Sequence, residues 1–370
     1  MMKPSAWFDA LLPYKPWRSG QLRWMMLDLA GTARQPEQDP RTHLRASLEW
    51  LCRAQDACPT EPGCGCVSAG WSFESGWLPG SIDTTGWLVE TYLPAADYLV
   101  WPLLENRARA MLNVLLAQPD GTSLGRIHGL IAGHVQLGHA DCLERAVRSA
   151  HTLLDAPLVS VVHLAKVAHT LAALGILAED AVLSQAAQKY LDAVLTRQTP
   201  CGWFADGSAP IATPLSVLAC TLRSLIELAV ILDDQRALQS AHRIAHALRD
   251  NLSGDGLLAG AYDDGWMPAA NHVCMSGLAQ LTTCWVRLSQ LEPGAIWNDA
   301  IWRALAWIKR NQRTEGEDLA TRDALPNTVP IWRGPGAFGF DSMNAKYFAD
   351  ALMMDRVGIT IPSAARKKNQ

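Results

Sequence analysis

Long apolar runs are missing from this chain of 370 residues. Stretches such as Leu215–Ala219 and Leu225–Leu232 are broken by polar residues short of the ~20 needed to cross a bilayer, so no membrane span is expected. An excess of one charge sign is missing too. The 36 acidic and 32 basic residues are mixed along the sequence for a formal net charge of −4, which leaves no basic stripe and excludes a nucleic-acid partner. The opening MMKPSAWFDALLPYKPWRSG has charges and prolines where a secretion signal needs an unbroken apolar core. The expectation is a cytoplasmic protein. Cysteine pairs at CxxC spacing, or joined by a histidine at zinc-finger spacing, do not occur among the nine cysteines. Cys52, Cys142, Cys220, Cys274 and Cys284 fall in helical contexts and read as small buried apolar residues. Cys58, Cys64 and Cys66 crowd the loop CPTEPGCGC and read as structural thiols, with a metal there left open; no cofactor is expected.

Strand signals are also nearly absent. With 49% hydrophobic and 18% charged residues, the chain can bury a large core. About twelve windows of helical periodicity begin near Thr42, Thr84, Leu103, Ser123, Asp141, Val159, Glu179, Thr213, Asp234, His272, Pro293 and Asp341. Ser123, Asp141 and Thr213 are placed to cap their helices, and Pro214 suits a first helical position. Connections alternate between short and long, the rhythm of antiparallel hairpins. Windows such as PLVSVVHLAKVAHTLAALGIL are apolar on more than one face, which places them in an inner layer enclosed by other helices. The expected fold is therefore all-α, an α/α toroid of about six hairpins in an inner and an outer ring. The expected organisation is an N-terminal extension over 1–40 that packs on the toroid, the toroid over 41–358, and a flexible basic tail over 359–370. A weak repeat supports it: Gln55, Gln118, Gln198 and Gln312 each end a helix before a polar, glycine-bearing loop.

Phenylalanine and tyrosine number six each, against fifteen tryptophans. Five of these follow a glycine: Trp71, Trp77, Trp87, Trp203 and Trp266. A glycine permits a tight bend that presents an indole at a loop tip, where its flat apolar face can stack on a sugar ring; the alternative is that the indoles plug the end of the helical barrel. Trp50, Trp285, Trp302 and Trp307, inside helices, read as core. Asp83 stands before Thr84-Thr85-Gly86 at a helix entry and reads either as a cap or as a cleft acid, with Glu90 further into the same helix. Tyr262, Asp263, Asp264, Trp266, Asn271 and His272 crowd a later entry; histidine beside carboxylates can move protons, although an Asp-Asp pair in a loop is often merely solvated. Trp332 and Arg333 sit in a loop stiffened by proline and glycine, and the arginine can grip a carboxylate or phosphate. Lys346 can do the same or be a surface residue. His128, His134, His163 and His169 occur singly on helices and suggest no metal.

At these residues the chain resembles a family of helical-toroid proteins encoded among bacterial exopolysaccharide biosynthesis enzymes, distantly similar to the prenyltransferase and squalene-oxidase repeat group. The resemblance covers roughly residues 41 to 356. It rests on Gly80–Trp87, where the family carries Tyr-Pro-Glu-Thr-Thr-Gly-Tyr and Asp83 replaces the glutamate. It rests also on His272 to Leu278, and on Asn344 to Leu352, written NAKYFADAL. The resemblance implies work on a glycan or lipid-linked oligosaccharide in extracellular polysaccharide production. Hydrolysis, elimination and uronyl epimerisation stand open, with peripheral association with a membrane synthesis complex. In that reading Asp83, His272, Glu90, Tyr262 and Asp264 carry the catalysis. Trp71, Trp77, Trp87, Trp203, Trp266, Asn271, Trp332 and Arg333 bind the substrate. A non-catalytic glycan-binding scaffold is the second expectation. An isoprenoid cyclase is the third, although the chain lacks an Asp-X-Asp-Asp acid.

Overall fold

A computed structural model describes residues 19–59, 64–155, 160–204, 212–294 and 296–357. A short helix, α1 (Ser19–Leu29), precedes twelve longer ones. These are α2 (Pro40–Asp56), α3 (Ile82–Leu99), α4 (Pro102–Ala117), α5 (Leu124–Leu137), α6 (Ala140–Leu153), α7 (Val161–Leu177), α8 (Ala181–Leu195), α9 (Leu215–Leu232), α10 (Gln235–Asp250), α11 (Met275–Leu291), α12 (Asn298–Asn311) and α13 (Ser342–Val357). Helices α3, α5, α7, α9, α11 and α13 form the inner ring and the other six the outer ring. The fold is an α/α toroid, as the two-sided apolar windows require. Five hairpins are sequential. The sixth joins the two ends of the ring, since α13 packs against α2 and α3.

Local chemistry explains the boundaries. Asp39, Ser81, Ser123, Ser160, Asp180 and Asp234 accept backbone N–H bonds at the first turns of α2, α3, α5, α7, α8 and α10. Of the three caps expected, only Ser123 takes that place: Asp141 lies inside the first turn of α6, Thr213 belongs to a strand, and Pro214 is the residue before α9. The expected start at Val159 lies outside the described residues. Helix α9 is long and apolar enough to cross a membrane by length and composition, but its position between α7 and α11 accounts for that apolarity.

The glutamine repeat has a structural cause. Gln55 Nε2 donates to Gly65 O on its own loop and to Arg107 O on α4, the next outer helix. Gln198 Nε2 likewise bridges Gly202 O and Ser240 O of α10. Gln312, at the end of α12, donates to His43 O, Ser47 Oγ and Asp323 O, while its Oε1 lies 2.6 Å from His43 Nδ1. Each side chain ties one outer helix to the next, and Gln312 ties the last to the first. Gln118 departs from this pattern, meeting Arg126 and Arg145 through its backbone carbonyl.

Outer-to-inner connections are long, so the long loops gather at the N-terminal end of the inner helices. Small antiparallel ladders stitch them: β1 (Gly70–Ser72) between β2 (Gly76–Trp77) and β7 (Gly339–Asp341), β3 (Thr213–Pro214) with β4 (Ala261–Tyr262), and β5 (Val273–Cys274) with β6 (Thr328–Val329). Helix α1 lies over this end, with Trp24 edge-on to Phe73 and Phe340 and Asp28 accepting from Ile331 N at 2.6 Å. Residues 1–18 of the expected extension and the expected basic tail over 359–370 lie outside the described residues.

Candidate active site

Asp83, Trp87 and Glu90 recur at i, i+4 and i+7, so they share one face of α3. That face looks onto α5 across a very close crossing: a Cβ built on Gly86 would fall 2.0 Å from Gly125 O, and one on Gly125 would fall 2.1 Å from Asp83 O. Only glycine fits there, and the approach brings the Trp87 ring into a stack on His128 at 4.5 Å between centroids. Asp83 fixes the mouth of the crossing. One oxygen accepts from Trp87 Nε1 at 3.2 Å; the other accepts from Ser123 Oγ at 3.0 Å and Gly125 N at 2.7 Å.

A polar chain runs inward from this point. Glu90 Oε1 lies 3.0 Å from His128 Nδ1, and His128 Nε2 lies 3.0 Å from Thr170 Oγ1 on α7, whose hydroxyl donates to Lys166 O. From α13, Lys346 Nζ reaches Asp350 Oδ2 at 2.5 Å and Glu90 Oε2 at 3.8 Å, and Thr91 donates to the other Asp350 oxygen. From α9 and α11, Arg223 and Arg287 both stand 3.2 Å from Glu227 Oε1. The chain of contacts therefore couples the inner helices by charge as well as by packing.

Several of these groups line an open cavity on the ring axis. Every inner helix contributes: Trp87 and Glu90, His128, Lys166 and His169, Arg223, Gln280, and Lys346 with Tyr347. Among the described residues Glu90 is the single carboxylate on the lining, against Lys166, Arg223 and Lys346. Arg223 and Lys346 are engaged by Glu227, Asp350 and Glu90, whereas Lys166 makes no ion pair among the described residues and stands 5.9 Å over the Trp87 ring. The cavity thus offers an aromatic face beside an unmatched positive charge.

Environment sorts the titrating groups. Burial would raise the Glu90 carboxyl, but the hydrogen bond and charge of His128, with Lys346 and Arg223 behind, outweigh it and hold the group at about 2. Burial, reinforced by His128, pushes His169 down to about 3, so its imidazole stays neutral; its Nε2 is buried with no hydrogen-bond partner. Asp341, at the loop end of α13, caps Met343 N at 2.7 Å. Atoms of the surrounding loops crowd its carboxyl and raise it, although the residue keeps an exposed surface and is not on the cavity lining.

The residues singled out in the sequence are dispersed. Trp87 and Glu90 line the cavity; Asp83 holds the indole and the start of α5 from an exposed position. Trp71 and Trp77 are half-buried, the first against Phe73 and Phe340 and the second against Trp50. Trp203 and Trp266 are 7% and 8% exposed and pack edge-to-face on each other, so these indoles are spent on packing. In that pair the bend falls on Trp266 itself, at φ 61°, not on Gly265. Tyr262 is buried and accepts from Ala259 N; Asp264 and Asn271 are exposed. His272 sits away from the cavity lining, its ring against Gly260 and Gly334, with its pKa lowered by burial and by Arg333. Arg333 stacks on the buried Trp332 and donates to Asn271 O. Trp302, expected in the core, is 67% exposed on the outer helix α12, while Trp50, Trp285 and Trp307 are buried.

His128, Lys166, His169, Arg223 and Gln280 escape the sequence reading as site residues. Their signal is a polar or charged residue inside a mostly apolar inner helix, a position where a charge is retained only with a partner or a ligand.

The class defined by this fold and site is a helical toroid with a polar, cationic, tryptophan-walled cavity on its axis. No family model matches the chain, and no curated protein matches it by sequence. Solved structures do. An unsaturated glucuronyl hydrolase from Streptococcus agalactiae superposes with a TM-score of 0.67 at 13% identity, over 86% of this chain and 92% of that one. The unsaturated glucuronyl hydrolase from Bacillus sp. GL1, described as responsible for degradation of glycosaminoglycan, gives 0.70 at 12% identity over 86% and 97%. One specific for heparin gives 0.66 at 12% identity over 85% and 96%. At such identities the likeness establishes the shared toroid.

Proposed function

We propose that the chain is an enzyme acting on a glycan that ends in an anionic sugar, with the Trp87 face against the ring and Lys166 against its charge. The observation that carries the reading is the convergence of all six inner helices on one cavity whose unmatched charge is positive and lies over an indole. Structural neighbours that act on glucuronyl compounds support the same class, one of them in complex with dGlcA-GalNAc6S. Glu90, the one carboxylate of the lining and ionised throughout the working range, stabilises positive charge developing on the sugar. His169, neutral and without a partner at Nε2, is placed to orient a hydroxyl or water. Hydrolysis would use Glu90 in that role. Elimination or epimerisation would use Lys166 to neutralise a uronate carboxylate.

The setting we propose is the cytoplasmic side of extracellular polysaccharide production, in peripheral contact with a membrane synthesis complex. The resemblance of the Gly80–Trp87 and Asn344–Leu352 segments supports it, as do nine cysteines that are all unbridged. A second reading, a non-catalytic uronate binder, draws on the single carboxylate of the lining. The two are separated by incubating the purified protein with uronate-terminated and neutral oligosaccharides and following mass and sugar stereochemistry. Turnover of the uronate set, lost in Glu90→Gln, supports the enzyme. Tight binding with no change in any substrate assigns the cavity to recognition, and equal treatment of the neutral set removes the anionic reading.

A further inference from the structure

Three thiols outside the cavity form a group of their own. The sulfurs of Cys58 and Cys66 converge on one point: a Cβ built at Gly80 would lie 2.7 Å from each. Both are buried, in a small cluster with Val114 and Ile82 that is separate from the main core. Cys64 is exposed, and its sulfur folds back to accept from Cys66 N at 3.4 Å. Burial raises the Cys66 thiol, with Cys58 and Cys64 adding to the effect, so the buried pair by itself is slow to react. Cys66 Sγ also lies 3.6 Å from Thr85 Oγ1 in the first turn of α3, the helix that carries Trp87 and Glu90.

We propose that Cys58 and Cys66 are a redox-modifiable dithiol that closes to a disulfide, with Cys64 as the entry thiol for a low-molecular-weight disulfide oxidant. The sequence of bonds balances. The Cys64 thiolate attacks the oxidant RSSR, forming Cys64–S–S–R and releasing RS⁻. The Cys66 thiolate attacks the Cys64 sulfur and expels a second RS⁻. The Cys58 thiolate then attacks the Cys66 sulfur and returns Cys64 as a thiolate. One RSSR is reduced to two RSH and two protein thiols are oxidised to one disulfide. The glycine at position 80 serves this site, because any side chain there would occupy the space between the two sulfurs. The inference is independent of what the cavity binds.

The test uses the full-length reduced protein and oxidised glutathione, followed by acid quench, alkylation and peptide mapping. The expected product has lost alkylation at Cys58 and Cys66 and kept it at Cys64. Cys64→Ser should slow the same product at least ~10-fold without changing its identity. Cys58→Ser should stop at a Cys64–Cys66 bridge or a Cys64 glutathione adduct. Far-ultraviolet circular dichroism of each variant establishes that it is folded, and wild-type protein carries the result if one is not. A wild-type product with glutathione on Cys64 and both buried thiols still alkylated overturns the proposal, as does a bridge to any cysteine outside the three.

Discussion

Glu90→Gln tests whether the buried carboxylate is held by its neighbours as the geometry requires. The residue is 6% exposed, and its carboxyl lies at about 2 against an ordinary 4.5. A group whose pKa falls on folding contributes stability that is present above its unfolded value and is lost as pH drops through its folded value. At ~1.36 kcal/mol per unit, the shift corresponds to about 3 kcal/mol at pH 7, roughly half of it gone by pH 3. Glutamine leaves His128 and Lys346 facing an amide, and breaking a buried pair from one side costs ~3–5 kcal/mol, consistent with the linkage figure. Urea unfolding of both proteins at pH 7 and at pH 3 should therefore show a difference of about 3 kcal/mol that shrinks to about 1.5 kcal/mol. His169 destabilises in a different window, from about 6.5 down to about 3, because its folded form resists protonation. Both proteins contain it, and Glu90 is the smallest of the influences named on it, so its contribution largely cancels. A difference under ~1 kcal/mol at pH 7, or one of equal size at the two pH values, refutes the ion-pair account of this site.

Gln312→Ala removes the bridge from the last outer helix to the first and strands His43 O, Ser47 Oγ and Asp323 O; a loss of about 2–4 kcal/mol in chemical unfolding is expected, and a loss under ~1 kcal/mol would mean that the ring is closed by packing alone. Gly86→Ala drives a methyl into Gly125 O and should separate α3 from α5, lowering the thermal midpoint by several degrees and weakening ligand binding together; unchanged stability would contradict the close crossing. Lys166→Met should cost ~10- to 100-fold in affinity for a uronate-terminated oligosaccharide, by calorimetry at low salt, and flatten the salt dependence while leaving neutral sugars untouched. Equal losses for charged and neutral sugars would show that the residue shapes the cavity and does not read charge.

The rings were legible because burial on two sides leaves a trace that spacing can show: windows such as the one around Val161–Leu177 have no polar face left to turn to water. Helix starts fell within a few residues for a similar reason, since polar caps and prolines punctuate the apolar periods. The site was legible only along one helix. Asp83, Trp87 and Glu90 share a face by register, and that much follows from their numbers. Glu90 with His128, 38 residues apart, or with Lys346 near the other end of the described chain, follows only once the ring has closed, because pairing across helices depends on which helices become neighbours and at what height. The Gly-Trp pairs misled for a physical reason. A glycine next to an indole serves a loop tip, but it serves equally a backbone crossing, as at Gly86, or a turn whose tryptophan is folded inward, as at Trp203 and Trp266. What separates the three is whether a second backbone approaches the glycine. The same contact that conceals this in the sequence creates the cavity wall, because without the Gly86–Gly125 approach Trp87 could not stack on His128, and the aromatic face beside Lys166 would not exist.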